Sequence, residues 1–154
     1  MKKILFLHGL ESKPGGSKAR MLSHKGYQVL NPHIPKSSWK DSVKIAQETI
    51  DIEMPDIIVG SSRGGAVALN VDPRGAKLVL IAPAWKRFGA DLQHCDGSTV
   101  ILHCADDDLV DYEDSEELAG KTGANLIPCG KSHRMDDPDA LDAIIDAVNW
   151  CSKR

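Results

Sequence analysis

The sequence predicts an α/β protein: a three-layer α/β/α sandwich built on a roughly six-stranded parallel sheet. Three observations lead there. Short apolar runs rich in Ile, Val and Leu recur with little polar alternation, as strands buried on both faces require. Helix-length segments separate them, and turn residues bound each run. The 154-residue length, with 42% hydrophobic and 27% charged residues, suits one domain over residues 1–154, large enough for a core that needs no disulfide or metal staple.

The strand runs are Ile4–His8, Tyr27–Asn31, Ile57–Gly60, Lys77–Ala82, Thr99–His103 and Asn125–Pro128. Helices are expected near Ser17–His24, Ser38–Ile52, Gly64–Val71 and Tyr112–Thr122, with a final one after Asp137. In the second, Trp39, Val43, Ala46 and Ile50 fall on one stripe. In the last, Asp137 caps, Pro138 suits the first turn, and Leu141, Ile144, Ile145 and Val148 repeat at i, i+3, i+4, i+7. Both stripes read as core packing. Pro83–Gly97 carries no periodic signal and is expected to be a loop or small flap, too short for a separate lid.

A balance of 19 basic against 22 acidic residues offers no field for nucleic acid or an anionic membrane. The opening run Ile4-Leu5-Phe6-Leu7 stops at His8-Gly9 and reads as a strand, not a signal segment. No apolar stretch approaches the roughly 18 residues a membrane span needs. Cys95, Cys104, Cys129 and Cys151 form no Cys-x-x-Cys, and the pairs His94-Cys95 and His103-Cys104 match no zinc spacing. The expectation is a cytoplasmic protein without metal, nucleic acid or membrane partner.

The third strand run leads into Gly60-Ser61-Ser62-Arg63-Gly64, a Gly-x-Ser-x-Gly at a strand-to-helix turn. Glycines two residues either side of Ser62 are needed where backbone passes too close for a β-carbon. The bare pattern also suits a phosphate-binding turn, so its partners decide. Around Ser61 the glycine spacing is wrong.

A serine hydroxyl is a poor nucleophile until a base takes its proton, and the base needs an orienting acid. In the chain order Ser, acid, His, the acid should follow the fifth strand and the base the sixth. Asp106, Asp107 and Asp108 stand after the fifth, and His133, the only histidine beyond them, stands after the sixth. One aspartate should be less exposed than its neighbours. Oxyanion-hole amides are expected from Arg63 and from Leu10, where Gly9 permits the sharp exit from the first strand. His8 should brace that loop.

Together these residues resemble the α/β-hydrolase superfamily, specifically its small, lidless esterase-like members of the YqiA-like type. The resemblance rests on Phe6-Leu7-His8-Gly9, Val59-Gly60-Ser61-Ser62-Arg63-Gly64-Gly65, His103–Val110 and Gly130-Lys131-Ser132-His133, and it spans nearly the whole chain. It implies a minimal α/β-hydrolase fold without a cap domain. Laying the family's His-Gly-x-x-Asp-x-x-Val over His103–Val110 puts the acid at Asp107, with Cys104 in the place of glycine. The implied strand order sets the second run at one edge, then the first, then the third through sixth, and puts Ser62 and Leu10 at the topological switch point.

The expected function is hydrolysis of a small-molecule carboxylic ester, with Ser62 as nucleophile, His133 as general base and Asp107 as orienter, and with no cofactor. A thioesterase or amidase would use the same groups, and a non-catalytic interaction module could keep the scaffold. Trp85 and Phe88 are candidates for lining the pocket.

Overall fold

The computed structural model describes residues 1–9 and 15–154. Six strands, β1 (Lys3–Leu7), β2 (Gln28–Leu30), β3 (Ile57–Ser61), β4 (Lys77–Ile81), β5 (Val100–His103) and β6 (Asn125–Pro128), form one parallel sheet in the order β2-β1-β3-β4-β5-β6. The helices are α1 (Ser17–His24), α2 (Trp39–Glu53), α3 (Arg63–Leu69), α4 (Trp85–Phe88), α5 (Tyr112–Thr122) and α6 (Pro138–Ser152). Both the topology and the strand count match the sequence expectation.

The near-continuous apolar strands follow from burial on both faces. Ile4, Phe6, Ile57, Val59, Val79 and Leu102 point into one core layer, closed by Leu22 of α1 and Ile144 and Val148 of α6. Their alternates Leu5, Leu7, Ile58, Leu78, Leu80 and Ile101 point into the other, closed by Ala46 and Ile50 of α2, Val67 of α3 and Leu118 of α5. Successive side chains of a strand face opposite ways, so two cores demand apolar residues at every position.

Of the two side-chain caps, Asp137 is the one the sequence announces, whereas Ser38, expected to begin the second helix, stands just before it as its cap. Ser38 Oγ accepts from the Asp41 amide at the start of α2, and the Asp137 carboxylate accepts from the Ala140 amide ahead of Pro138 in α6. Substituting such a cap typically costs about 1 kcal/mol. Pro83–Gly97 departs from expectation by holding the four-residue helix α4. That turn is too short to show helical periodicity. It is secured by Trp85, whose indole N–H donates to the Asp114 carbonyl at 2.9 Å.

Strand β1 lies between β2 and β3, so the chain leaves it toward one edge and returns to build the rest of the sheet on its other side. Connections diverge there and leave a crevice at the carboxyl ends of β1 and β3. Gly9 and Ser62 both open onto it.

Candidate active site

Ser62 is the hinge between β3 and α3. Its backbone takes φ 57°, ψ −114°, a left-handed conformation costing on the order of 1–3 kcal/mol for a residue with a side chain. Surrounding hydrogen bonds hold it there: the Ser62 amide donates to the Ile81 carbonyl (2.9 Å), and the Ser62 carbonyl accepts from the amides of Gly65 (3.0 Å) and Ala84 (3.0 Å). The two glycines permit the turn sterically. A β-carbon on Gly60 would lie 2.5 Å from the Gly64 carbonyl oxygen, and one on Gly64 would run into the Leu7 carbonyl.

The loop after β6 carries His133 to the serine. Two carboxylates at the start of α6 shape it, with Asp139 accepting from the Gly130 amide (2.8 Å) and Asp137 from the Lys131 amide (3.0 Å). Met135, buried and at φ 53°, closes the turn by donating its amide to the Ser132 carbonyl. His133 Nε2 then stands 3.0 Å from Ser62 Oγ, and Nδ1 stands 2.7 Å from Asp107 Oδ2. An ionised carboxylate only accepts, so Nδ1 carries the proton and Nε2 is left to accept from the serine hydroxyl.

Asp107 is buried, whereas Asp106 and Asp108 are exposed. Packing thus separates three aspartates that sequence chemistry leaves equivalent. Asp107 Oδ1 accepts from the amides of Leu109 (2.8 Å) and Val110 (2.9 Å), folding the loop around its own side chain. Burial pushes this carboxyl up. The Val110 amide, the His133 imidazole and the Leu109 amide together outweigh that and hold it below the usual carboxylate range. Asp107 is therefore an ion at neutral pH.

Around the serine, a β-carbon on Gly9 would come within 3.2 Å of Ser62 Cβ and 3.9 Å of the Arg63 amide nitrogen. The glycine at this position lets the end of β1 approach Ser62. Among the described residues, the Arg63 amide donates to no protein acceptor. Leu10, expected to supply the other oxyanion donor, lies outside the described residues. His8 is buried and braces the β1 exit, with Nδ1 3.0 Å from the Gly9 carbonyl and Nε2 accepting from the Ile34 amide (3.0 Å).

Ser62 and His133 face a cleft of about 510 Å³, within the range of small-ligand sites. Phe6, Ala84, Phe88, Leu109 and Val110 give it apolar surface, and Lys18, Arg87 and Arg134 bring charge. The two aromatics of the 83–97 segment divide. Phe88 lines the cleft and stacks on Trp39 with ring centroids 5.1 Å apart, whereas Trp85 is buried as the anchor of α4. A second cavity of about 330 Å³, bordered by Lys2, Arg74, Lys77 and Cys151, lies at the amino ends of the strands, away from this chemistry.

One contributor escaped sequence reasoning. His103, read there as half of a His-Cys pair and as part of the family segment, ends β5 with its ring fully buried, and its Nε2 lies 3.0 Å from the same Asp107 oxygen that meets His133. The usable signal was its place four residues before the acid at the end of a strand.

No family model matches the chain, and no curated protein matches it in sequence. Solved structures do resemble it. A CIB-like hydrolase from Thermoplasma acidophilum superimposes with a TM-score of 0.72 at 18% identity, covering 98% of this chain and 86% of that one. Alpha/beta hydrolase domain-containing protein 10 from mouse gives 0.77 at 16% identity, with coverages of 96% and 88%. Est1E from Butyrivibrio proteoclasticus, with ferulic acid bound, gives 0.76 at 14% identity over 96% and 86%. Such likeness over nearly the full chain, at such low identity, carries the architecture: this chain has the α/β-hydrolase fold.

Proposed function

We propose that residues 1–154 form one α/β-hydrolase domain acting as a serine hydrolase on carboxylic esters, of the small, lidless esterase-like kind that its motifs resemble. The observation that carries this reading is the continuous relay from Asp107 through His133 to Ser62, at 2.7 and 3.0 Å, on the floor of an open cleft. Nucleophile, base and orienter come from the ends of three different strands.

In this reading Ser62 Oγ attacks the ester carbonyl as His133 Nε2 takes its proton. The tetrahedral oxyanion faces the Arg63 amide and, as the sequence leads us to expect, the Leu10 amide. Collapse breaks the bond to the alkoxy oxygen, which leaves as the alcohol with the proton from His133, and the acyl group stays on Ser62. Water then attacks the acyl-enzyme as His133 takes its proton, and collapse breaks the acyl bond to Ser62 Oγ, which recovers that proton from His133 as the carboxylic acid leaves. Asp107 keeps the imidazole in the required tautomer and stabilises the imidazolium formed twice per turnover.

No helix of the described residues is long and apolar enough to cross a membrane. The four cysteines are free, which supports a reducing cytoplasmic setting.

The test is initial-rate hydrolysis of p-nitrophenyl esters of increasing acyl length by the wild type and Ser62→Ala, alongside labelling with a fluorophosphonate probe. Ester turnover and labelling that both vanish in Ser62→Ala are expected. Labelling without ester turnover would redirect the reading to thioesters or amides. Absence of both would overturn it in favour of a binding module.

A further inference from the structure

We infer that His103 is a positioning residue for the reaction, a second histidine that holds the same Asp107 carboxylate oxygen that orients His133. The inference rests on the serine-hydrolase reading above for its kinetic consequence, but the contact itself is independent of turnover.

Both ring nitrogens of His103 are committed. Nδ1 lies 2.6 Å from Ser115 Oγ, and Nε2 lies 3.0 Å from Asp107 Oδ2 and 2.9 Å from the Val110 carbonyl. A carboxylate and a carbonyl can only accept, so Nε2 carries the proton and donates to both. Nδ1 then accepts from the Ser115 hydroxyl, which is itself fully buried on α5. The tautomer is fixed from two sides.

The groups that contact this ring, and the strand that holds its backbone, fit that state. From α5 come Ser115 and the Tyr112 ring, its centroid 5.5 Å away; from the β5–α5 loop come Asp107 and Val110; on the β6 side the Cys129 amide donates to the His103 carbonyl. Among the described residues, Asp107 is the one carboxylate in contact with the ring, and it is shared with His133.

The consequence lies in how many bonds Asp107 accepts. Its Oδ1 takes two amides and its Oδ2 takes two imidazoles, so the side chain is fixed in orientation and in charge. The two amides belong to its own loop and move with it. His103 instead ties the acid to strand β5 and helix α5, so the carboxylate that aims His133 is referenced to the sheet that also carries Ser62. Cys104, standing where the family has glycine, leaves this tie intact.

Two isosteric amides separate the positioning role from mere packing. In His103→Gln the side-chain nitrogen falls near the old Nε2 and keeps donation to Asp107. In His103→Asn it falls near the old Nδ1, so contact with Ser115 survives and contact with Asp107 is lost. We expect kcat on a p-nitrophenyl ester to fall roughly 10- to 100-fold in His103→Asn with KM within about twofold, and His103→Gln to retain most of it. The Asp107 carboxyl carbon, followed by ¹³C NMR, should titrate at higher pH in His103→Asn than in the wild type or His103→Gln.

Equal losses in the two variants, or an unmoved Asp107 titration in a folded His103→Asn, would overturn the proposal. Should His103→Asn not fold, as judged by its thermal melt, a folded His103→Gln with kcat down more than tenfold overturns it alone, and one with kcat retained supports it. A wild type silent toward esters and fluorophosphonate would defeat the hydrolase reading, while the carboxyl titration would still decide the contact between His103 and Asp107.

Discussion

His133 Nε2 lies 3.0 Å from Ser62 Oγ although 71 positions separate them along the chain. Strands β4, β5 and β6 intervene in sequence, and the parallel sheet returns each of their carboxyl ends to the same edge. Separation along the chain is thereby converted into contact, and the consequences can be measured.

Ser62→Ala and His133→Ala should each reduce kcat on a reactive ester by about 10⁶, because groups acting as one unit fail as one unit. Both side chains face the cleft, so circular dichroism and the melting temperature should change little. Steady-state kinetics with residual activity above about 1% in either variant would displace these residues from their roles.

Among the aspartates, Asp107→Asn should cost on the order of 10⁴ in kcat, since the amide favours the wrong tautomer of His133. Asp106→Asn and Asp108→Asn alter exposed side chains and should stay near wild-type rates. A larger loss at either neighbour would move the acid.

Gly64→Ala places a methyl group against the Leu7 carbonyl, where backbone on both sides has no room to yield. Destabilisation of at least ~1–3 kcal/mol is expected, read as a lower urea midpoint, together with loss of ester turnover from a displaced Ser62. Gly60→Val should act alike, since its β-carbon would meet Gly64 and Gly65 backbone. Wild-type stability in either variant would contradict the tight elbow.

The buried imidazole of His8 predicts a pH dependence. Burial lowers its pKa, the Gly9 carbonyl partly offsets this, and the nearby positive groups His33, Lys36 and Arg63 lower it further. Protonation is therefore disfavoured in the folded state relative to the unfolded chain, where histidine titrates near ~6.5. The unfolded state binds the proton first, so stability is lost as pH falls from about 6.5 toward the lower folded value. In His8→Gln the side-chain oxygen can still accept from the Ile34 amide without titrating. The wild-type advantage over that variant in urea unfolding should shrink across this window, and a constant difference would refute the assignment.

Much of this molecule is legible in its sequence because its signals are local. Strands buried on both faces must be apolar throughout, so Ile57–Ser61 and Lys77–Ile81 announce themselves within one residue of their ends. The turn at Ser62 needs glycine on both sides, which marks the position of the proposed nucleophile in the sequence alone. Chain order then leaves His133 without a rival as base. The four-residue helix α4 was not legible, being shorter than the period that would reveal it.

What the sequence by itself determined is thus the α/β class and the strand order implied by its resemblance, and it singled out Ser62 and His133 as the proposed nucleophile and base. The choice among three adjacent aspartates was a matter of likeness there, and only the tertiary structure supplied its cause. Asp107 alone turns inward, where two amides and two imidazoles compensate its burial, while Asp106 and Asp108 remain in water. The second imidazole, His103, is marked in one dimension only by its place four residues before Asp107, because its role depends on which face of β5 meets α5 and on where the following loop folds back. Those are properties of packing between distant segments, and one-dimensional spacing does not encode them.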